Sequence, residues 1–209
     1  MDALLKAGLQ RMGLQPEQHP RSAYLAYIEL LIKWNRAYNL TAIKDPEEIL
    51  KRHVLDSLSV LFFIKGEYCL DVGTGPGLPG MILALAQPEK CWTLLDSNQK
   101  KVRFLRHAKA ELDVPNVEIV QARVEDYVPD KTFDTIICRA FAPLTRILEL
   151  TSHLITGSNQ LLAMKGKLAE TEISELEEHN FLIEVENLSF VDDSSNSNLV
   201  KIRRKTQAL

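Results

Sequence analysis

The sequence predicts an α/β protein with a seven-stranded, mostly parallel sheet, an antiparallel edge strand and a preceding cap of helices. Three observations support this prediction. After residue 67, short apolar runs alternate with helical segments, which is typical of a parallel sheet covered on both faces. A glycine-rich turn follows the first apolar run, and an acidic residue ends the second. We therefore expect a doubly wound sheet that binds a ligand at the carboxyl ends of its strands.

The first 65 residues lack strand alternation and predict a helical cap. Apolar and aromatic residues recur at helical spacing from Tyr24 to Tyr38. Pro46, followed by two glutamates, suits the first turn of another helix. We assign residues 1–65 to this cap and 66–209 to the sheet domain, and we expect both to form one compact unit.

The remaining elements follow in chain order. We expect strands at 68–72, 91–95, 117–121, 133–138 and 160–164, and helices at 77–87, 98–112, 143–155 and 168–179. Two late strands, 181–191 and 198–202, flank a polar segment typical of a turn, so we expect an antiparallel pair there.

Composition limits the class of protein. A chain of 209 residues with 45% hydrophobic content suits one domain with a full core. Cys69, Cys91 and Cys138 are odd in number and lie in or at the ends of apolar runs, which predicts reduced core cysteines. We find no signal-peptide pattern, no apolar run of the roughly 20 residues that a membrane span needs and no metal-ligand spacing. We expect a soluble, cytoplasmic monomer without membrane or metal partners.

The charges are segregated along the chain although the net charge is only −3. Five lysines and arginines and no acid lie in 100–109, and four more basic residues lie in 201–205. Such clusters attract phosphate groups or simply form a solvated helix face, and the sequence leaves both interpretations open.

The turn after the first strand predicts a nucleotide-type cofactor site. Asp71 precedes three alternate glycines, Gly73, Gly75 and Gly77. Glycines allow positive φ and close approach of a ligand, and the next helix directs free N–H groups at the loop. A dinucleotide fingerprint needs glycine where Leu78 stands, so a nicotinamide enzyme is disfavoured. A glycine turn without a ligand is the alternative.

A second acid points to an adenosine group. Asp96 ends the second strand, where an acid can accept hydrogen bonds from both ribose hydroxyls. The same residue also suits a helix N-cap, and the two roles are compatible.

Six segments together resemble a known family. They are WNRAYNLT (34–41), HVLDSL (53–58), DVGTGPGLPG (71–80), LDS (95–97), RVED (123–126) and RAFA (139–142). The loop is similar to the signature of Rossmann-like class I S-adenosylmethionine-dependent methyltransferases. The whole set, spanning about 34–166, is similar to the bacterial ribosomal RNA small subunit methyltransferase G family, also called glucose-inhibited division protein B.

This resemblance implies N7-methylation of one guanine in 16S ribosomal RNA, with S-adenosyl-L-methionine as the cofactor and the small ribosomal subunit or its RNA as the partner. It places Asp71 toward the amino group of the cofactor's methionine part, with Gly73 and Gly75 leaving room for it. Residues carried over to the cofactor site are Gly73, Leu78, Val124, Glu125 and Arg139, with Val124 and Glu125 against the adenine.

Four residues are candidates for the substrate side, each with a structural alternative. Arg139 holds the cofactor carboxylate or the guanine edge, or else pairs with an acid. Asn39 and His53 hold the guanine, or else cap a helix and pair with Asp56. Lys165 binds substrate phosphate or is simply solvated.

The segment after the fourth strand carries no residues for two other kinds of methyl transfer. It lacks the Asx/Ser-Pro-Pro-aromatic motif of enzymes that methylate exocyclic amines, and Cys138 follows Ile137 rather than proline, which disfavours attack on pyrimidine C5. Guanine N7 has a free lone pair and no proton to lose, so alignment suffices. We therefore name no catalytic base.

Some features leave other functions open. Family members commonly carry Arg-His before the last strand, whereas this chain has Ser197-Asn198, so we do not count that turn as RNA-binding. The alternatives are a methyltransferase for a small molecule or a protein, a nicotinamide-dependent oxidoreductase and a non-enzymatic cofactor-binding regulator.

Overall fold

The computed structural model describes residues 1–157, 159–166, 172–173, 181–188 and 197–205. Its helices are α1 (Asp2–Arg11), α2 (Arg21–Tyr38), α3 (Pro46–Ile49), α4 (Asp56–Leu58), α5 (Gly80–Ala86), α6 (Gln99–Glu111) and α7 (Leu144–Thr151). A π-helical turn, Leu50–Leu55, joins α3 to α4. Its strands are β1 (Tyr68–Val72), β2 (Cys91–Leu95), β3 (Val117–Val120), β4 (Thr135–Arg139), β5 (Gln160–Lys165), β6 (Phe181–Asn187) and β7 (Asn198–Arg204).

These strands form one seven-stranded sheet in the order β3-β2-β1-β4-β5-β7-β6. Strands β1 to β5 pair in parallel, and β7 runs antiparallel to both β5 and β6. The predicted α/β sheet is therefore confirmed, with the antiparallel β6–β7 pair at one edge. The strand order reverses between β1 and β4, and ligands of doubly wound sheets bind in the crevice at such a point.

The observed element boundaries follow the prediction closely near the glycine loop. The strands β1 and β2 have the predicted bounds, whereas α5 begins three residues later than predicted because the loop extends to Pro79. The predicted helix 168–179 lies outside the described residues except at 172–173, which are helical. The predicted strand 181–191 also extends beyond them.

The N-terminal helices share a core with the sheet. Tyr24, Ile28 and Leu31 of α2 are fully buried and belong to the same apolar cluster as Leu94 of β2 and Phe104 of α6. The ring of Trp34 packs edge-on against Phe104, with 5.7 Å between the ring centroids. Another α2 side chain reaches the glycine loop, since Tyr27 Oη donates a hydrogen bond to the carbonyl of Pro76 at 2.9 Å. The cap thus supports the loop directly.

The prediction that all three cysteines are buried in the core is wrong for one of them. Cys69 and Cys138 are buried and free, but Cys91 is exposed. Cys91 is the first residue of β2, and the strand is buried only from the next residue, Trp92, onward. Burial raises the pKa of the Cys138 thiol to about 12, so this cysteine stays protonated at neutral pH and is unsuited to be a nucleophile.

Among the described residues, no helix is both long enough and apolar enough to cross a membrane.

The start of α5 depends on glycine, and replacing Gly80 tests this. A Cβ atom there would lie 2.3 Å from Leu94 Cδ2 and 2.7 Å from Asp71 Oδ2, both on fully buried side chains. We expect Gly80→Ala to lower the free energy of unfolding by roughly 1–3 kcal/mol, the usual cost of overpacking a core. Urea unfolding of the purified chain measures the change.

Gly157→Ala is the matched control for this substitution. A Cβ atom at Gly157 would meet none of the described residues within 4 Å, and the φ of Gly157 lies outside the left-handed region. The free energy of unfolding should stay the same or rise slightly, since alanine restricts the unfolded chain. Equal stability of the two variants would contradict the packing described for α5.

Candidate active site

The glycine loop adopts the backbone conformation that its sequence predicts. Gly73, Gly75 and Gly77 have φ of 65°, 62° and 98°, a region that costs other residues roughly 1–2 kcal/mol. A Cβ atom on Gly77 would also lie 2.8 Å from Met81 Cβ. These glycines let the chain turn from the end of β1 directly into α5.

The carboxylate of Asp71 lies beneath this loop and is fully buried. Its Oδ2 accepts hydrogen bonds from Thr74 Oγ1 at 2.6 Å and from the Gly80 N–H at 2.8 Å. Its Oδ1 is buried without a partner in the described part of the chain. Burial raises the pKa of Asp71 to about 7, although the two hydrogen bonds oppose the shift. Asp71 therefore fixes the loop and leaves one acceptor atom unused.

Asp96, at the end of β2, is tied to the same loop. Its Oδ2 accepts a hydrogen bond from the Gly75 N–H at 2.9 Å, and its Oδ1 accepts one from the Asn98 N–H at 2.8 Å. Asn98, rather than Asp96, is the N-cap of α6, since its side chain accepts from Lys100 N–H. A carboxylate has about four acceptor positions, so Asp96 retains acceptor capacity for a ligand.

Three cavities surround the loop and the end of β4. The first, of about 470 Å³, adjoins the ends of β2 and β3, and its lining includes Gly73, Asp96, Lys101, Val124, Glu125 and Phe141. The second, of about 190 Å³, lies along the glycine loop, and its lining includes Thr41, His53, Gly73, Gly75, Leu78, Lys101 and Arg139. The third, of about 570 Å³, has Arg52, His53, Asp56, Arg139 and Lys165 in its wall, together with Ser197 and Asn198.

Ala140 lies where all three cavities meet. It directly follows β4 and has a φ of 48°, which is uncommon for a residue with a side chain. The next residue, Phe141, contacts the loop so closely that a Cβ atom on Gly73 would lie 2.4 Å from its ring. Strained backbone of this kind persists where the surrounding structure enforces it, often at functional sites.

Arg139 pairs with an acid, which is the alternative that the sequence left open. Its Nη1 donates to Asp56 Oδ2 at 3.1 Å and to the carbonyl of Arg52 at 2.9 Å. Its Nη2 lies 3.4 Å from His53 Nδ1. The π-helical turn brings Arg52 and His53 against the end of β4, in keeping with the frequent use of π turns at functional sites.

His53 is buried, and its imidazole is uncharged at neutral pH. Burial lowers its pKa to about 4, and the nearby Arg139 contributes to the shift. Its Nε2 lies 2.8 Å from Thr41 Oγ1, so its partner is Thr41 and not Asp56. Asn35 holds Thr41 in turn: its Nδ2 donates to the Thr41 carbonyl at 3.0 Å, and its Oδ1 accepts from the Thr41 N–H at 2.9 Å.

Two other predicted substrate residues lie in different surroundings. Lys165 lines the third cavity, with its Nζ 3.1 Å from Glu172 Oε2 and 3.4 Å from the Ala142 carbonyl. Asn39 is exposed, has a φ of 50° and ends α2 as its C-cap. Asn39 is not in the lining of any of the three cavities.

Sequence reasoning missed at least five residues of this site: Asn35, Thr41, Arg52, Lys101 and Ala140. The first two lie in the segment 34–41 that carried the family resemblance, but nothing in the spacing assigns Asn35 to Thr41 or Thr41 to His53. Lys101 stands within a basic cluster for which the sequence left phosphate attraction and a solvated helix face both open, and neither interpretation assigns it to the cofactor. Ala140 carries no polar group, and its position becomes visible only when the cavities are located.

The residues present fit S-adenosylmethionine. The unpaired Oδ1 of Asp71 is an acceptor suited to an ammonium group, and Asp96 retains acceptor capacity suited to ribose hydroxyls. The 470 Å³ and 190 Å³ cavities share Gly73, Lys101 and Ala140, so they adjoin. In the described residues, there is no group of three or more histidines, cysteines and acids that could hold a metal ion.

The sheet order and this site define a class I methyltransferase, an enzyme whose cofactor is S-adenosyl-L-methionine. The sequence profile of the family described as rRNA small subunit methyltransferase G (GidB) matches residues 21–200. The chain belongs to this family.

Similar proteins agree with this assignment. A protein from Chromohalobacter salexigens and one from Nitrosococcus oceani, both named Ribosomal RNA small subunit methyltransferase G, are 47% and 44% identical to the chain. The first alignment covers 97% of each protein, and the second covers 96% of this chain and 94% of the relative.

Solved structures support the fold. A SAM dependent methyltransferase from Aquifex aeolicus has a TM-score of 0.61 at 20% identity, covering 78% of this chain and 96% of its own. A ribosomal protein L11 methylase from Lactobacillus delbrueckii subsp. bulgaricus has a TM-score of 0.56 at 18% identity, covering 74% and 79%.

The buried carboxylate of Asp71 predicts a pH-dependent stability. Its pKa in the folded chain is about 7, above its ordinary value of 3.8. The folded chain therefore holds a proton that the unfolded chain releases, and the free energy of unfolding falls as pH rises from about 4 to about 7. Its contribution is fully present below the ordinary pKa and has been lost above about pH 7.

Asp71→Asn isolates this effect. Asparagine keeps an acceptor oxygen for Thr74 and Gly80 but does not titrate. We expect the stability of the original chain minus that of the variant to fall by on the order of 3 kcal/mol between pH 4 and pH 7, at about 1.4 kcal/mol per pKa unit. Urea unfolding at several pH values measures it. A difference independent of pH would show that Asp71 titrates normally.

Proposed function

We propose that the chain transfers the methyl group of S-adenosylmethionine to N7 of one guanine in 16S ribosomal RNA, acting as a monomer in the cytoplasm. The choice of ribosomal RNA is supported by family membership and by the printed names of the relatives. The choice of guanine N7 is supported by the resemblance of the six sequence segments and by the chemistry of the site.

The cofactor occupies the two smaller cavities in this proposal. Asp71 Oδ1 receives the amino group of the methionine part, directly or through water, and Asp96 accepts hydrogen bonds from the ribose hydroxyls. The adenine lies in the 470 Å³ cavity against Val124 and Glu125. Gly73 lets the cofactor approach the backbone closely, as does Gly75. Leu78 lines the methionine end.

The guanine occupies the 570 Å³ cavity, which carries three cationic side chains, Arg52, Arg139 and Lys165. Lys165 binds a phosphate of the RNA, while Arg139 contacts the edge of the guanine with its guanidinium oriented by Asp56. His53 lines both this cavity and the 190 Å³ cavity, which we call the methionine cavity because the methionine part of the cofactor occupies it. In this position, His53 holds the base near the cofactor. Asn39 lines none of the three cavities, so the proposal gives it no contact with the guanine.

This proposal rests on one observation: the two cofactor cavities, of 470 and 190 Å³, meet the acceptor cavity, of 570 Å³, at Ala140. A cofactor along the glycine loop and a base in the large cavity would come together at this residue. Such an arrangement supplies alignment, which contributes strongly to a transfer between two bound groups.

The charges around the junction suit the transfer of a methyl group to a ring nitrogen. When bound, the cofactor supplies a methyl group on a positively charged sulfonium, which the N7 lone pair can accept without the loss of a proton. A second positive charge beside this centre would oppose binding of both the sulfonium and the cationic product. Asp56 neutralises Arg139, and the low pKa of His53 keeps its imidazole uncharged at neutral pH.

Mapping of modified guanines tests the proposed reaction. We expect 16S ribosomal RNA from cells that contain the gene to carry one N7-methylguanosine that is lost on deletion and restored by the original gene. Chemical cleavage at N7-methylguanosine followed by primer extension locates the site. A set of N7-methylguanosines unchanged by deletion would refute the proposal. Transfer of labelled methyl to a protein or metabolite alone would favour the alternative acceptors.

The role of Lys165 predicts a selective loss of RNA affinity. Lys165 lines only the acceptor cavity among the three. We expect Lys165→Ala to weaken RNA binding and to reduce the slope of log affinity against log salt concentration by about one, as for loss of one phosphate contact. Cofactor affinity should not change. Filter binding at several salt concentrations and calorimetry measure the two quantities.

Lys131→Ala is the matched control. Lys131 pairs with Glu118 at 3.4 Å on the surface and lies in none of the three cavities, so RNA affinity and its salt dependence should be unchanged. An equal loss in both variants would show that Lys165 contributes only to overall charge.

A further inference from the structure

We infer that Lys101 is the residue that binds the carboxylate of the cofactor's methionine part. This inference deepens the proposed function because it assigns a ligand contact within the same cofactor site. It concerns only the cofactor, so it can be tested without RNA.

Lys101 occupies the right place for this contact. It lies in the first turn of α6, and among the described residues it is the only lysine or arginine that lines both cofactor cavities. A Cβ atom at Gly75 would lie 3.9 Å from its Nζ. The ammonium therefore lies beside the glycine loop, where the adenosine and methionine cavities adjoin.

The ammonium of Lys101 has donors to spare. Its Nζ lies 3.7 Å from Asp96 Oδ2, close enough for electrostatic attraction but beyond the 2.7–3.2 Å of an N–H···O hydrogen bond. No hydrogen bond from Nζ is formed to the described residues. The side chain is 35% exposed, and its ammonium ends a flexible four-carbon stem. All three N–H donors remain for an acceptor.

Arg139, the other cation in the methionine cavity, is already committed. It is 16% exposed and donates to both Asp56 and the Arg52 carbonyl. Use of Arg139 for the cofactor carboxylate would weaken its pairing with Asp56. Lys101 can make the same contact without breaking a hydrogen bond to a described residue, so the structure favours Lys101 over Arg139 for this role.

The charges of the site also complement the cofactor when Lys101 takes this part. The methionine part carries an ammonium group and a carboxylate, of opposite charge, in addition to the sulfonium. Asp71, buried beneath the glycine loop, offers an unpaired carboxylate oxygen for the ammonium, and the cofactor carboxylate in the 190 Å³ cavity along that loop requires a positive partner. Among the described residues lining that cavity, Lys101 and Arg139 are the cations, and only Lys101 forms no hydrogen bond to a described residue.

Calorimetry with two ligands tests this assignment. The ligands are S-adenosylmethionine and its decarboxylated analogue, which lacks only the carboxylate. We expect the original chain to bind the complete cofactor roughly tenfold or more tightly than the analogue, the usual effect of one charge-assisted hydrogen bond. Lys101→Met keeps an unbranched side chain that is one atom shorter and carries no charge. This variant should lose that preference by weakening the complete cofactor while changing analogue binding less than about threefold.

Three further variants make the result specific. Lys101→Arg should retain a preference for the complete cofactor, because it restores a cationic donor. Lys100→Met is the matched control, since Lys100 is the exposed neighbour on α6 and lines none of the three cavities, and it should bind like the original chain. Lys101→Gln provides a second uncharged side chain, and thermal unfolding checks that each variant is folded.

Other outcomes would overturn the assignment. Equal weakening of both ligands by Lys101→Met would mean that Lys101 acts through Asp96 and the ribose. Retained preference in Lys101→Met would exclude the contact. If the original chain bound the complete cofactor tightly, either result would overturn only the role of Lys101. If it bound neither ligand, the cofactor part of the proposed function would fail as well.

Discussion

The pairing of the buried Asp71 carboxylate with Thr74 and Gly80 fixes the geometry on which the site depends. One carboxylate oxygen holds the start of the loop through Thr74 and the start of α5 through Gly80. Burial of a carboxyl group is costly without such partners, so these bonds make the loop conformation and the buried acid mutually dependent. Asp96 extends the network to β2 by accepting from Gly75, and Tyr27 attaches the helical cap through Pro76.

A second feature of the site is its control of positive charge. The chain places Arg139 and His53 near the junction of the cavities, but one is paired with Asp56 and the other is kept neutral by burial. Arg52 and Lys165 lie in the acceptor cavity, where an RNA backbone can use them. The cations of the acceptor cavity are themselves paired, Arg52 with Glu48 and Lys165 with Glu172, while Arg139 and His53 add little net positive charge at the junction. This distribution suits an electrophile and a product that are both positively charged.

The sequence predicted what depends on local pattern and missed what depends on distant contacts. The bounds of β1 and β2 followed from apolar runs, and the loop conformation followed from glycines that must adopt positive φ. The prediction that Cys91 is buried was wrong because burial within an apolar run varies from its first residue to its last. The pairing of His53 with Thr41 was not predictable because a π-helical turn sets the direction of the His53 side chain. Lys101 looked like a surface residue because it stands in a run of basic residues, of which Lys100, Arg103 and Arg106 are exposed.

The most direct test of the central claim is a crystal structure of the chain with S-adenosylhomocysteine. The ribose hydroxyls should then lie within hydrogen-bond distance of Asp96, the adenine should occupy the cavity lined by Val124 and Glu125, and the sulfur should face the acceptor cavity near Ala140. A nucleoside bound in the cavity of Arg52 and Lys165, or a ribose without contact to Asp96, would contradict the assignment of the two cavities to cofactor and acceptor.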